Sequence, residues 1–175
     1  MTSEAGKGSM TASVKALVEE QPERGVWHAD WRVEKYHDGV VDGNPDEVLE
    51  VEGNLLVNVG IVVMLNLLAR NTGTVYSTSV NAYLDVGTSN AVAGAGDTTL
   101  TATSLRKQAT AVVSAQTVTF QATFAAGEAS VTWEEVGVFN AAGVNAGDML
   151  NHLVSTLGTK AAGSAWVLTL TITIS

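Results

Sequence analysis

Strict alternation of apolar and polar residues near the end of the chain limits what it can fold into. From Trp166 onward every second residue is large and apolar, and the residues between are mostly threonine. Residues 117–124 and 27–34 repeat this pattern. Because successive side chains of a strand point to opposite faces, the pattern predicts strands with one buried face.

Regularly spaced strands of this kind also predict the fold class. We expect about seven or eight short strands, since turn residues separate the alternating segments. Residues 105–113 and 117–124 flank Ser114-Ala115-Gln116, which is typical of a hairpin with a three-residue loop. The sequence therefore predicts a mainly β fold, an antiparallel β-sandwich or barrel, in a single domain over residues 26–175.

One strand carries a change of phase. In residues 130–139 the apolar positions have one parity up to Trp133 and the other parity from Val136 onward. A regular strand cannot shift its phase by a single residue, so we predict a β-bulge at Glu134 and Glu135. Adjacent strand residues point to opposite faces, so general acid catalysis by this acidic pair is a weak hypothesis.

A single long apolar run interrupts the strands. Residues 55–69 are apolar except for three positions, and Asn54 precedes them as a possible helix N-cap. The run is shorter than the roughly twenty residues that cross a membrane. We therefore predict one buried α-helix at about 54–70 and no membrane partner.

The first 25 residues differ from the rest of the chain. They are small and polar, and they hold too few apolar side chains to offset the entropy of ordering them alone. We predict an extended N-terminal arm over residues 1–25 that contacts a neighbouring subunit through Val14, Leu17, Val18 and Arg24. An arm that folds back on its own domain is the alternative.

Charge and cysteine content exclude several classes of protein. Nine Lys and Arg against eighteen Asp and Glu give a net charge of −9, the wrong sign for binding a nucleic-acid backbone. The absence of cysteine excludes disulfide scaffolds, cysteine-ligated zinc and thiol catalysis. No apolar run follows a basic start, so we expect no signal peptide. The resulting expectation is an acidic, soluble domain.

No motif indicates catalysis or a cofactor. His28, His37 and His152 lack ligand spacing, and each is expected to be a surface or turn residue. The turn from Asp42 to Glu47 opens like a calcium loop but lacks its later glycine and glutamate, so we favour a solvated turn over calcium. We therefore predict no catalytic residues, no metal site and no cofactor.

The order of several segments is similar to that of small tailed-bacteriophage virion structural proteins. The similarity covers residues 26–175 and is carried by EVLEVEGNLLVNVGIVVMLNLLA, NAYLDVGTS, SLRKQAT, TVTFQATFAAGEASVTWEEVGVFNAA and the final AWVLTLTITIS. The resemblance implies a non-enzymatic role in the phage particle and brings no catalytic residues with it. It leaves the first 25 residues unaccounted for.

Physical arguments favour one position in such a particle. An arm and a body of low charge suit a head decoration (cement) protein that stabilises the assembled shell. Its partners would be the major capsid protein, copies of itself in a homo-oligomer such as a trimer, or both. It would be made in the host cytoplasm and sit on the capsid exterior. The alternative is a tail-tip or tail-fibre-base protein that contacts the host through its loops; an enzyme or sugar-binding module is a third class.

Overall fold

A computed structural model of the chain describes residues 26–71, 73–78 and 80–175. The predicted arm and its interface residues Val14, Leu17, Val18 and Arg24 lie outside these residues, so they stay predictions. The elements, in chain order, are β1 (Trp27–Tyr36), β2 (Glu47–Glu52), β3 (Leu55–Leu56), α1 (Asn58–Leu68), β4 (Tyr83–Gly87), β5 (Thr103–Gln108), β6 (Thr110–Ser114), β7 (Thr117–Phe124), β8 (Thr132–Phe139), β9 (Met149–Thr159) and β10 (Ala165–Ile174).

The strands form two five-stranded antiparallel sheets. The first sheet has the order β2-β1-β10-β7-β6 and the second has β3-β9-β8-β4-β5. The mainly β class and the sandwich arrangement are confirmed. The barrel alternative is wrong, because the two sheets do not close on each other through paired edges. The described residues also hold ten strands, more than predicted.

The alternating residues form the core between the sheets, as their period requires. Trp31 and Val33 of β1 stand opposite Leu170 and Leu168 of β10, and all four are buried. Apart from Val167, their neighbours along each strand carry polar side chains on the opposite face. This facing apolar layer is where hydrophobic burial stabilises the fold.

Three aromatic rings bridge the sheets at one end of the core. Trp133 of β8 packs edge-on against Phe124 of β7 and Trp166 of β10, each with ring centroids 4.8 Å apart. Edge-to-face geometry places the positive rim of one ring against the negative face of the next. The Lys35 ammonium lies 4.7 Å from the Trp166 ring centroid.

The chain passes from one sheet to the other within a single residue. The segment predicted as one hairpin arm divides into β5, at the edge of the second sheet, and β6, at the edge of the first. Buried Ala109 lies between them, and its N–H donates to the Ala82 carbonyl. The β6–β7 hairpin itself is present, and Ala115 in its turn has φ of 50°.

The strand pairing is irregular at Glu134 and Glu135, as predicted, but the extra residues belong to β9 and not to β8. The pairing of β8 with β9 shifts register between Trp133 and Glu135. Trp133 is therefore buried in the core between the sheets, while Glu135 is buried outside that apolar cluster. Glu134 lies between these two pairs, opposite residues 155–157 of β9, and its carboxylate accepts a hydrogen bond from the Thr156 hydroxyl.

The helix differs from the prediction in its bounds and its cap. It spans Asn58–Leu68, and Leu55–Leu56 form β3 by pairing with β9. Asn54 does not cap it; the Asn54 side-chain oxygen accepts a hydrogen bond from Trp27 Nε1. The periodicity of a continuous apolar run does not distinguish a strand from a helix. Its first residues form a strand because they pair with β9.

The helix is also not buried, contrary to the prediction. Only Gly60 and Val63 are buried among its residues. At Gly60 a side chain would collide with the backbone of Leu150, so glycine lets α1 approach β9 closely. The opposite side exposes large apolar residues, which are Ile61, Val62, Leu65 and Leu68.

Candidate functional site

Charged residues form a buried row across the outer face of the second sheet. Arg106 of β5 stands opposite Asp85 of β4, Asp85 opposite Gly137 of β8, and Gly137 opposite His152 of β9. Arg106, Asp85 and His152 are all buried. Buried charges are costly unless they are paired and hydrogen-bonded, so the partners of each decide what the row can do.

His152 lies between two carboxylates. Its Nδ1 is 2.9 Å from Asp97 Oδ2, and its Nε2 is 3.0 Å from Glu135 Oε2. The prediction that His152 is a surface or turn residue is therefore wrong, whereas His28 and His37 are exposed. An imidazolium donates from both ring nitrogens, which matches two ionised carboxylates.

Glu135 connects this histidine to the loop between β4 and β5 (residues 88–102). Its carboxylate accepts hydrogen bonds from Thr101 N at 2.9 Å and from Ala102 N at 2.7 Å. Gly87 makes room, since a Cβ there would lie 2.5 Å from Glu135 Oε1. Asp97 of the same loop accepts from Gly94 N. The three side chains thus hold the loop against the sheet.

We call Asp97, Glu135 and His152, with the loop backbone that they hold, the His152 latch. Its contacts occupy the atoms that a general base would use. Both ring nitrogens of His152 bond to carboxylates, so neither is available to take a proton from a substrate. Both oxygens of Glu135 accept backbone hydrogen bonds. A general base must reach a substrate proton, and neither group has an unoccupied atom with which to do so.

A second latch holds the loop between β8 and β9 (residues 140–148). Arg106 Nε donates to Asp85 Oδ2 at 2.9 Å, and its Nη1 donates to the carbonyls of Ala141, Gly143 and Ala146. The guanidinium carbon lies 3.5 Å from the Phe139 ring centroid. Burial raises the pKa of Asp85, and Arg106 opposes that rise. Arg106 thereby holds a polar loop that has no regular structure of its own.

Asp97 makes the first latch sensitive to acid. Partial burial alone raises the pKa of Asp97, but hydrogen bonds from Gly94 N–H and His152 and the charge of His152 outweigh it and lower the pKa. A carboxyl with a lowered folded-state pKa stabilises the fold above its unfolded pKa of about 4, and that stability is lost as pH falls through the folded value.

We therefore expect Asp97→Asn to destabilise the protein at pH 6 and progressively less below about pH 4, where the parent loses the same charge. Urea unfolding of both proteins across pH 2.5 to 6 measures the difference. Exposed Asp38→Asn, whose carboxylate lies in a turn, serves as the control. A difference that stays constant down to pH 2.5 would contradict a role for the Asp97 charge.

The turn considered for calcium uses its carboxylates locally. Asp42 Oδ1 accepts from Asn44 N, and Asp46 Oδ2 accepts from His37 N. Glu47 pairs with Lys35 at 2.7 Å. Within the part of the chain that the structure describes, no three His, Asp or Glu side chains are grouped to hold a metal ion. The turn therefore offers no ligand cluster.

Within the described residues, an apolar surface at the end of the first sheet where β1 begins has no element covering it. We call it the apolar groove; its volume is about 540 Å³, and it lies between α1, the β6–β7 hairpin and the ends of β1 and β10. Its walls include Trp27, Met64, Leu67, Val113 and Ile174. It adjoins the exposed side of α1, where Leu68 is 83% exposed. Contiguous exposed apolar surface of this kind marks an interaction site.

No family model, curated protein or solved structure matches the chain. Among the described residues, no helix is long and apolar enough to span a membrane. The features of the chain that bear on function are therefore its own surfaces, which are the apolar groove, the exposed side of α1 and the two held loops.

Sequence reasoning did not find the His152 latch or the apolar groove. Asp97 and Glu135 lie 55 and 17 residues from His152, so no local spacing brings them together. The one available signal was the predicted bulge, which separates Glu135 from Glu134. Nothing in the apolar run indicated which side of α1 would face solvent.

Proposed function

We propose that the protein is a non-enzymatic virion structural protein of a tailed bacteriophage, a head decoration protein that binds the exterior of the assembled capsid. The observation that supports this best is the exposed apolar side of α1, formed by Ile61, Val62, Leu65 and Leu68. Such a surface on a β-sandwich favours permanent contact with a partner over a monomer that exposes it to water.

The charge distribution supports the same proposal. Residues 54–175 contain four Lys or Arg and six Asp or Glu. Four of these ten side chains are buried, namely Asp85, Arg106, Glu135 and Lys160. Another two, Lys107 and Glu128, pair with each other. The body therefore presents few free charges, which is a property of surfaces that assembly covers.

Binding to the shell would act by mass action. A protein that binds the assembled lattice and not its free subunits stabilises the lattice by the free energy of binding. Many copies, each holding neighbouring subunits through α1 and the predicted arm, would resist the outward pressure of packaged DNA. The two latches contribute indirectly, because they hold the loops of the second sheet in one conformation.

Co-sedimentation with expanded empty heads that lack the protein tests this proposal. We expect the parent to pellet with the heads and the double variant Leu65→Lys, Leu68→Lys to stay largely in the supernatant. Both positions are exposed, so the variant should fold. The control is Val92→Lys, at a position that is 94% exposed and lies in the loop between β4 and β5. Equal binding by all three proteins would overturn the role of α1.

A tail-tip or tail-fibre-base protein is the alternative, and the two latches favour it specifically. Loops held by buried charges on a rigid sheet are typical of contact surfaces that must keep one shape. The copy number in purified particles, measured by quantitative gel densitometry against the major capsid protein, separates the two roles. A simple fixed ratio to the shell subunit supports decoration, and a few copies per particle supports the tail.

A further inference from the structure

We propose that the apolar groove binds the segment around Leu17 from a second copy of this chain. The groove would then be the site of self-association, with one arm and one groove contributed by every copy. The proposal concerns contacts between identical chains, so it holds or fails independently of capsid binding.

The groove lies where the first 25 residues join the described body. Trp27, the first residue of β1, forms part of its wall, and so does Ile174 of β10. Val26 pairs with Ser175 through hydrogen bonds of 2.7 and 3.1 Å, which fixes the chain at this end of the sheet. The segment preceding Val26 is therefore joined at the rim of the groove.

The sequence of that segment matches the groove in chemistry. Val14, Leu17 and Val18 have the spacing that places side chains on one side of a helical turn. They are the aliphatic residues of this segment that the sequence predicts at an interface. The groove is lined mostly by apolar side chains, and its volume of about 540 Å³ lies within the usual range for binding sites. Three aliphatic side chains are the kind of group that it would exclude from water.

A second copy explains the surroundings of the groove better than the chain's own arm does. Apolar residues also surround the groove on the hairpin and at the end of β10, with Val112 58%, Val113 76% and Ile174 52% exposed. One helical turn would cover the groove itself and leave this rim in water. The body of a second copy, brought close by its arm, can cover the rim as well. Reciprocal exchange also closes, because every copy fills one groove and offers one arm.

Engineered disulfides test the proposal directly, because the chain contains no cysteine. Full-length Leu17→Cys and full-length Val113→Cys, with tags of different size, are co-expressed and oxidised. A disulfide requires Cα atoms within about 7 Å, so it reports that the arm of one copy reaches the groove of the other. We expect a mixed cross-linked dimer. Val92→Cys replaces Val113→Cys in the control and should give none.

Each other result overturns the proposal. If the single chain carrying both Leu17→Cys and Val113→Cys forms only an internal disulfide, and the mixed pair does not cross-link, the groove binds its own arm. If neither forms, the groove does not bind this segment.

Light scattering of the full chain gives a second measure. We expect the parent to be oligomeric and Leu17→Asp to shift to the monomer mass, while Val92→Asp keeps the parent's mass. A monomeric parent at micromolar concentration would also overturn the proposal.

Discussion

Replacing Arg106 by methionine is expected to destabilise the protein by about 3–5 kcal/mol, the usual cost of leaving one partner of a buried ion pair alone. The buried Asp85 carboxyl would be left with only the Thr103 hydroxyl as a side-chain donor. The carbonyls of Ala141, Gly143 and Ala146 would lose their shared donor. Urea unfolding at pH 7, followed by tryptophan fluorescence, measures the loss.

The matched control is the same substitution at Arg32. That guanidinium also pairs with carboxylates, those of Glu34 and Glu50, but its side chain is 44% exposed. Exposed ion pairs contribute about 0–1 kcal/mol, so Arg32→Met should change stability little. Adding Asp85→Asn to Arg106→Met should recover part of the lost stability, because a neutral amide replaces the buried carboxyl that has lost its partner. Equal effects at both arginines would show that burial of the pair does not matter.

Trp166→Ala is the second change with a large expected effect, a loss of about 3–5 kcal/mol in the free energy of unfolding. Trp166 is buried between the Trp133 ring and the Lys35 ammonium, so truncation leaves a cavity and removes two contacts. Trp27→Ala is the comparison, because Trp27 is only partly buried and should cost less. A near-neutral Trp166→Ala, measured by urea unfolding, would contradict the position of this ring in the core.

Features that depend on neighbouring residues could be predicted from the sequence. Alternation around Leu168 and Phe120 identifies the buried faces, since a strand exposes its side chains with a period of two wherever it pairs. The irregularity at Glu134 was predictable for the same reason, because the change of parity can be read from the sequence of β8, although the extra residues on β9 could not be. The arrangement of the strands in two separate sheets was not, as sandwich and barrel use the same local pattern.

Features that depend on distant residues could not be predicted. Leu55 and Leu56 are not part of the helix because they pair with the backbone of β9. Local helix and strand propensities do not reveal this long-range pairing. The environment of His152 likewise depends on a loop and a strand that meet only in the folded chain. The exposed side of α1 follows from the close approach of Gly60 to Leu150, a tertiary contact.

The position of β10 has a consequence for how the protein is made. This last strand lies inside the first sheet, between β1 and β7, and its partner β1 comes from the beginning of the described chain. A nascent chain on the ribosome that lacks residues 165–174 therefore leaves both neighbours with unpaired backbone edges, which are prone to aggregate. Folding of the first sheet must therefore await synthesis of residues 165–174, and products that terminate before them cannot form this sheet.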